Sequence, residues 1–386
     1  FVRVFDKTTG SHITSYKIID NKFHNISSNV FYSLNNTFDI DMIKIIDNTV
    51  DNSGSGFLVN ADNYIKNAFI TRNVFTNLIR LDSGNVHAIS VSVDVSEVDI
   101  GSQKQSGGIH VYRNVIDGVK GGFEGASGYV TGIFVVAGKC HINENTIRNV
   151  FNDPNTNNNN ANSYGIYGKI LRGTVSGNVL VDAGGFTGMS LKGGYSSNDT
   201  EYVYNGQAGK NTISDNTIDY ASINPSDDIS LRVEGDRTSV TGNVCSGSTA
   251  VLYFSGEISI QVRARNIVSD NVITSDELAM LIVNGRRCNI VGNLVEFTST
   301  GPMRDPSNRM AQYNNRMCSI GDSTAVTTTQ VYDNILFSSN TLHHGGDPTI
   351  ISGVIVDANS SINSFEDITI SGNKFSGFKN PISFLN

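Results

Sequence analysis

Short stretches of alternating apolar and polar residues recur along the whole chain. Each ends in an asparagine and is followed by another apolar residue, as in IIDNTV (Ile45 to Val50) and ITISGNKF (Ile368 to Phe375). Twelve anchor asparagines share this phrase: Asn21, Asn48, Asn73, Asn114, Asn145, Asn178, Asn216, Asn243, Asn271, Asn293, Asn340 and Asn373. No helical period connects them, and their unequal spacing is not that of a rigid propeller blade.

The repeated phrase predicts an all-β fold in which short strands stack turn upon turn. Its residues are rich in Ile, Val and Thr, and Gly, Asn, Asp and Ser separate the strands. In a coil of parallel strands each turn pairs with its neighbours at about 4.8 Å, while loops of any length leave at the corners. We therefore predict a single-stranded, right-handed parallel β-helix of about twelve turns, forming one domain over residues 1–386.

The anchor asparagines are predicted to be structural. An asparagine tolerates the left-handed backbone of a tight corner, and stacked asparagines can bond one another along the coil. Asn48 and Asn145 also read as N-x-Ser/Thr. A buried corner is a poor glycan acceptor, so we expect neither to carry one.

Charge and composition exclude several classes of function. A net charge of -8 does not favour a nucleic-acid partner, and no apolar run of membrane length is present. The four cysteines show no CxxC spacing, so we expect buried free thiols, no metal site and no cofactor. The chain begins at Phe1 without an initiator Met, which suggests a piece of a longer polypeptide.

A second strand in each turn ends at a glycine, as in LRVEGDR and LYFSGEI, and this glycine provides an alignment of the turns. The alternation then places Val233, Tyr253 and Ile282 towards the core. The same alignment points Arg232 and Phe254 outward. It also predicts an outward column with Val136, Lys192 and Val283, with Lys169 between the first two.

Acidic residues just beyond these glycines form the candidate catalytic site. Asp236 and Glu257 are expected on adjacent turns about 5 Å apart, with Glu234 two residues from Asp236. Glycoside hydrolysis needs such carboxylates, one to protonate the leaving oxygen and one to attack or to activate water. The alternative is a solvated strand end whose charges form salt bridges.

Cations and tyrosines around the acids are the candidate substrate-binding residues. Aromatic rings can stack on the apolar face of a sugar, so a tyrosine-rich insertion after Lys192 is a candidate wall of the site. The full set is Lys192, Arg232, Arg286, Tyr195, Tyr202 and Tyr204. A long insertion over 299–330 could form a second wall or a contact with another copy. His343 and His344 are expected in a polar loop.

The asparagine-anchored phrase resembles the right-handed parallel β-helix proteins of the pectin-lyase-like group, and within that group the shaft of a bacteriophage tailspike. The resemblance covers nearly the whole chain. It implies a homotrimer on a virion tail, acting outside the cell on bacterial surface polysaccharide such as O-antigen or capsule, with no membrane partner. It further implies that Glu234, Asp236 and Glu257 serve as the acid and base of an endo-glycosidase.

Two other functions remain open. A polysaccharide lyase or epimerase could use Lys192 and Arg232 to neutralise a uronate and remove its α-proton. A non-catalytic adhesin or structural shaft would use the surface for binding or solvation alone, because a repeat fold sets the architecture without setting the chemistry.

Overall fold

A computed structural model describes most of the chain. The described residues are 2–4, 12–35, 39–61, 64–80, 84–93, 108–121, 129–152, 163–183, 187–193, 210–219, 229–235, 238–246, 250–255, 266–275, 278–283, 287–297, 316–321, 331–345, 352–357 and 364–385. The chain divides into two compact units, Phe1–Asp199 (unit 1) and Thr200–Asn386 (unit 2). One continuous domain over 1–386 stays a prediction.

Unit 1 consists of strands throughout its described residues. They are β1 (Val2–Val4), β2 (His12–Ile13), β3 (Tyr16–Ile19), β4 (Lys22–His24), β5 (Asn29–Asn35), β6 (Asp39–Ile46), β7 (Thr49–Asp51), β8 (Ser55–Ala61), β9 (Tyr64–Thr71), β10 (Val74–Ile79), β11 (Val86–Val93), β12 (Gly108–Tyr112), β13 (Val115–Gly121), β14 (Val130–Asn143), β15 (Thr146–Asn152), β16 (Ser163–Ser176), β17 (Val179–Ala183) and β18 (Thr187–Gly193). Each pairs in parallel with strands one turn away.

These strands form three sheets. The pre-asparagine sheet contains β3, β6, β9, β12 and the second halves of β14 and β16. The post-asparagine sheet contains β4, β7, β10, β13, β15 and β17. The third sheet contains β5, β8, β11, the first halves of β14 and β16, and β18.

Unit 2 repeats the same order of strands. They are β19 (Lys210–Ser214), β20 (Thr217–Asp219), β21 (Ile229–Gly235), β22 (Ser239–Thr241), β23 (Val244–Ser246), β24 (Ala250–Ser255), β25 (Ile267–Ser269), β26 (Val272–Ser275), β27 (Leu278–Val283), β28 (Asn289–Val291), β29 (Leu294–Phe297), β30 (Arg316–Ile320), β31 (Val331–Ser338), β32 (Thr341–His344), β33 (Ser352–Asp357), β34 (Ser364–Ser371), β35 (Lys374–Ser376) and β36 (Asn380–Leu385). Its pairings are again parallel.

This is the predicted parallel β-helix. Each unit has six post-asparagine strands, which together match the twelve predicted turns. Parallel crossover connections are almost always right-handed, and the arrangement fits the predicted right-handed coil. In the described part of the chain, no helix is long and apolar enough to cross a membrane.

The predicted asparagine ladder is present in both units. The Nδ2 of each anchor donates to the Oδ1 of the anchor one turn on, at 2.9–3.2 Å, from Asn21 to Asn178 in unit 1 and from Asn216 to Asn373 in unit 2. Ten of the twelve anchors are buried, including Asn48 and Asn145. Buried amides bonded in this way hold the corner that ends each pre-asparagine strand.

The asparagine was predicted to take the left-handed conformation of the corner. The residue before it does so instead. All twelve preceding residues have a positive φ, from 55° at Asp20 to 72° at Gly292. Gly, Asp and Asn adopt this conformation at the lowest cost. This explains why the phrase places Gly or Asp so often before the anchor.

The core is made of apolar columns that run through the turns. One column of unit 1 contains Phe23, Val50, Phe75, Ile116, Ile147 and Leu180. All four cysteines are buried and free, as predicted. Burial raises the pKa of Cys245 to about 12 and raises the pKa values of Cys140 and Cys318 as well.

One loop prediction in unit 2 is wrong. His343 and His344 belong to β32, where His344 is buried and stacks on Phe297 with 5.0 Å between ring centroids. The insertion over 299–330 contains a strand, β30, which begins at Arg316. At His344 the stacking of a strand on a neighbouring turn overrides a local sequence that looks polar, while the role of the insertion as a second wall or a contact with another copy stays a prediction.

Candidate functional site

The predicted carboxylate cluster falls largely outside the described residues. Glu234 lies near the end of β21, in register with Ser255 of β24. Its side chain is outside the described part of the chain, and so are Asp236 and Glu257. Their assignment as the catalytic residues stays a prediction.

The predicted substrate-binding residues are partly described. Arg232 lies half-buried in β21, and the backbone of Lys192 lies in β18, in register with Lys169 as predicted. The side chain of Lys192 is outside the described residues. The remaining predicted residues, Arg286, Tyr195, Tyr202 and Tyr204, are outside them entirely.

The predicted faces of Tyr253 and Phe254 in β24 are wrong. Val233 is in register with Phe254, and Phe254 with Ile282. Phe254 therefore shares the column of the buried Val233 and Ile282, and Tyr253 shares the column of Arg232. The glycine alignment holds between β21 and β24, where it pairs Val233 with Phe254. It fails between β24 and β27, because Phe254 stands two residues before its glycine and its partner Ile282 stands three before.

An open groove of about 720 Å³ lies along one side of unit 2. Residues from four successive turns line it, among them Ile267, Arg287, Asn289, Asn334, Leu336 and Asp367. Ile267, Asn289 and Leu336 occupy one outward column in register. A groove of this size, with apolar surface and a few polar groups, suits a ligand larger than a single small ion.

The other side of the groove is a column of left-handed residues. Arg287, Asn334 and Asp367 have φ values of 52°, 53° and 52°. Each stands six residues before its anchor asparagine. The repeated bend turns a cation, an amide and a carboxylate into the same groove on consecutive turns.

A pair of carboxylates precedes this column. Asp333 of β31 is in register with Glu366 of β34, so their Cα atoms are about 4.8 Å apart. The amide Nδ2 of Asn334 donates to Oδ1 of Asp333, and the backbone of Arg287 donates to the carbonyl of Asp333 at 2.6 Å. Glu366 is exposed and Asp333 half-buried, so one carboxylate is held in place and the other is open to solvent.

The charged side chains beside the groove form no ion pairs within the described structure. Among the described residues, Arg287, Asp333, Glu366 and Asp367 form no ion pair with one another or with any other side chain. The three acids and the arginine can all hydrogen bond to sugar hydroxyls. A protonated carboxyl group among them can also donate its proton to a glycosidic oxygen. Sequence reasoning missed them, although counting back seven residues from Asn340 and Asn373 aligns Asp333 with Glu366.

Unit 1 carries a different surface, which we name the basic-aromatic stripe. It is the outward column four residues before each anchor asparagine: Lys17, Lys44, Phe69, His110, His141 and Thr174. The Phe69 and His110 rings stack at 4.9 Å with 4° between their planes, and the His110 and His141 rings stack at 5.1 Å with 15°. Three ring planes therefore lie one above another on the outer face.

Both histidines of the stripe have a pKa below the ordinary value of 6.5. Burial lowers the pKa of His110, and the neighbouring His141 and Lys139 lower it further. Burial and Lys139 lower the pKa of His141 in the same way. Thr174 Oγ1 lies 2.8 Å from His141 Nδ1 and 3.3 Å from Oδ1 of Asn143, so it connects the imidazole to the amide.

A second aromatic cluster lies on the third sheet of unit 1. Phe134 stacks on Tyr167 at 5.3 Å and contacts His87 at 5.2 Å. The register beside it runs through His87, Thr131, Tyr164 and Thr187. Within the described structure, His87 Nδ1, Thr131 Oγ1 and Thr187 Oγ1 are buried without a hydrogen-bond partner. We name these three residues the buried polar row.

Metal binding has no support in the described part of the chain, where no group of three or more His, Cys, Asp or Glu side chains could hold an ion.

No protein-family model matches the sequence, and no curated protein matches it. Among solved structures, the crystal structure of the Dettilon tailspike protein (gp208) matches with 12% identity and a TM-score of 0.37, over 90% of this chain. The chain covers 62% of that protein's length.

Proposed function

We propose that the chain is a tailspike-like receptor-binding protein that binds and hydrolyses a bacterial surface polysaccharide. The observation that carries the proposal is the unit 2 groove, which Arg287 and Asp367 line. Asp333 and Glu366 are in register with each other, each one residue before a lining residue of the groove. The expected setting is the one implied by the sequence resemblance: a homotrimer on a virion tail, with O-antigen or capsule as partner.

In the proposed reaction one carboxyl group acts as the acid and the other as the nucleophile or base. Glu366, which is exposed, protonates the glycosidic oxygen of the leaving sugar. Asp333, which Asn334 holds in place, attacks the anomeric carbon or activates a water molecule. Side chains that leave adjacent strands can place carboxyl groups about 5 to 9 Å apart, a range that includes retaining and inverting enzymes.

Arg287 and Asp367 have binding roles in this scheme. They stand two turns apart in the column of left-handed residues, about 10 Å from one another along the coil. Hydrogen bonds from both to one polymer would hold a sugar beside the carboxylates, and positioning of this kind accounts for much of an enzyme's rate. Asn289 and Asn334 supply further amide donors and acceptors.

The test is incubation of the protein with a panel of bacterial surface polysaccharides, following polymer size and ultraviolet absorbance. Shortened chains without new absorbance support hydrolysis. Shortened chains with the absorbance of an unsaturated uronate would indicate a lyase and direct attention to Lys192 and Arg232. If the protein binds a polymer but never shortens it, the protein is an adhesin, and the catalytic part of the proposal is contradicted.

Variants then distinguish the two candidate carboxylate sets. Asp333→Asn and Glu366→Gln are expected to abolish shortening and keep binding. If Glu234→Gln, Asp236→Asn or Glu257→Gln abolishes it instead, the cluster predicted from the sequence is the active site. Asp219→Asn, an exposed carboxylate of the post-asparagine sheet, is the matched control and should change neither property.

A further inference from the structure

We propose that three side chains on the outer face of unit 2, Glu296, His343 and Ser376, form a second hydrolytic site, which cleaves a small carboxylic ester. We name them the Glu-His-Ser column. They lie on post-asparagine strands, whereas pre-asparagine strands line the groove. The proposed ester hydrolysis therefore does not depend on the proposed hydrolysis of a polysaccharide, and the two can fail separately.

The three residues stand at the same place on three successive turns. Each follows its anchor asparagine by three residues, and the register pairs Glu296 with His343 and His343 with Ser376. Neighbouring strands lie about 4.8 Å apart, so the imidazole has a carboxylate on one side and a hydroxyl on the other. His343 and Ser376 are exposed, and Glu296 is half-buried. This open face suits a small substrate.

The hydroxyl and the imidazole of the column are already in contact. Oγ of Ser376 lies 2.6 Å from Nδ1 of His343. A serine within hydrogen-bond reach of a histidine can act as a nucleophile, because the imidazole takes its proton as the oxygen attacks. For this, Nδ1 carries the lone pair and Nε2 carries the proton. A carboxylate that accepts from Nε2 selects this tautomer.

Glu296 is the carboxylate that has this positioning role. Among the described residues it forms no ion pair with another side chain. A glutamate side chain is long enough to reach the imidazole of its register partner, and catalytic hydrogen bonds often tighten only when the substrate is bound. Its negative charge also stabilises the imidazolium that forms as His343 takes the proton.

The backbone after Ser376 supplies a donor for the carbonyl oxygen of the ester. Gly377 follows the serine directly, and its φ of 81° turns the chain at this point. A Cβ here would collide with the carbonyl oxygen of His344, so the turn needs a glycine. In serine hydrolases the N–H after the nucleophile often stabilises the negative oxygen of the tetrahedral intermediate. We assign this part to the N–H of Gly377.

The proposed reaction is an acyl transfer in two steps. Oγ of Ser376 bonds to the carbonyl carbon of the ester while its proton passes to Nδ1 of His343. The alcohol takes that proton as it leaves, and the ester bond breaks. A water molecule then attacks the acyl-serine with His343 again as the base, the carboxylic acid is released, and the proton returns to Ser376. Ester and water give acid and alcohol without a further reactant.

The chain offers two matched pairs that lack part of the column. Oγ of Ser246, at the same position of an earlier turn of unit 2, donates to Oδ1 of Asp219 at 2.9 Å and contacts no imidazole within the described residues. On the post-asparagine sheet of unit 1, Nδ1 of His24 lies 3.0 Å from Oδ2 of Asp51, with no serine in the pair. These pairs separate a serine site from an exposed serine or an exposed imidazole alone.

Hydrolysis of p-nitrophenyl acetate by the full chain tests the proposal, together with a fluorophosphonate probe that labels activated serines. Peptide mass mapping should place the label on Ser376. Ser376→Ala and His343→Gln should each lower ester hydrolysis about a hundredfold, and His343→Gln should also prevent labelling. Glu296→Gln should lower kcat about tenfold and leave KM unchanged, as expected for a positioning residue.

Ser246→Ala and His24→Gln are the matched controls and should change neither hydrolysis nor labelling. Hydrolysis that survives Ser376→Ala would overturn the proposal. An equal loss in His24→Gln and His343→Gln would also overturn it, since exposed imidazoles alone would then explain the activity. A wild-type chain that neither hydrolyses the ester nor takes the label would contradict the proposal as well. Polysaccharide shortening by Ser376→Ala reports separately on the groove.

Discussion

Asn271 donates from its Nδ2 to the Oδ1 of Asn293 at 2.9 Å, one turn further along unit 2. The same Nδ2 also donates to the carbonyl of Val240 at 3.0 Å, while the Oδ1 of Asn271 accepts from both nitrogens of Asn243. One side chain therefore connects three turns.

Asn271→Ala is expected to lower the free energy of unfolding of unit 2 by about 3 kcal/mol, because it removes the acceptor of the backbone N–H of Asn243, one acceptor of the Asn243 side-chain amide and the side-chain donor to the carbonyl of Val240, all in a buried site. Chemical denaturation monitored by circular dichroism measures this. Asn289→Ala, at an exposed strand position, should change it by less than about 0.5 kcal/mol. Equal losses in the two variants would show that the ladder does not stabilise the coil.

Thr131→Val tests whether the buried polar row is unsatisfied. Thr131 is fully buried and its hydroxyl has no partner within the described residues, so an isosteric methyl should raise the free energy of unfolding by about 1 kcal/mol. Ser55→Ala is the matched control. The buried hydroxyl of Ser55 donates to the carbonyl of His87 at 2.8 Å, so its removal should lower the free energy of unfolding. A loss of stability in Thr131→Val would mean that a bound water or ligand satisfies the row.

His87 is expected to make the stability of unit 1 depend on pH. Burial, with a smaller effect of Arg80, lowers its pKa from 6.5 to about 4. The unfolded chain therefore binds the proton more readily, and stability is lost as the pH falls from about 6.5 towards 4. The full loss is about 3 kcal/mol.

Thermal denaturation at pH 7.5, 6.0 and 5.0 measures this effect. His87→Phe should show a smaller loss between pH 7.5 and 5.0 than the wild type, whereas Ser90→Ala on the same strand should behave as the wild type does. The same slope in His87→Phe and the wild type would mean that His87 is already protonated in the folded state, or is open to solvent.

The four cysteines are expected to be unreactive in the folded protein. All are buried, and burial raises the pKa of Cys245 to about 12, so almost no reactive thiolate forms at pH 8. Titration with a thiol reagent should find no rapid reaction before denaturation and four thiols after it. An introduced Lys22→Cys serves as the positive control. Rapid native labelling of any natural cysteine would contradict the described burial.

The fold could be predicted because one short phrase, repeated at every turn, fixes both the corner and the strand before it. The register of the other strands could not be predicted as well. Tyr253 and Phe254 were assigned to the wrong faces, because the terminal glycine of β27 lies one residue further on than the glycine of β24. The anchor asparagine keeps its place in every turn. Counting from the anchors would have placed His110 above His141, and Asp333 beside Glu366.

The conformation of the corner shows a different limit. Asparagine is a common left-handed residue, yet here its side chain is committed to the ladder and the residue before it takes the positive φ. In the same way, the sequence predicted a loop at His344, but the side chain stacks on Phe297 of the preceding turn and belongs to a strand. Contacts between turns, which a single sequence does not display, decide both cases.

The most direct measurement of the central claim is the release of new reducing ends from a bacterial surface polysaccharide that the protein binds. The assay compares the wild type with Asp333→Asn, Glu366→Gln and the control Asp219→Asn. We expect both groove variants to bind within about twofold and to lose at least about a hundredfold in release, as general acid–base catalysis requires. Release unchanged in both groove variants would contradict the assignment of the groove as the active site.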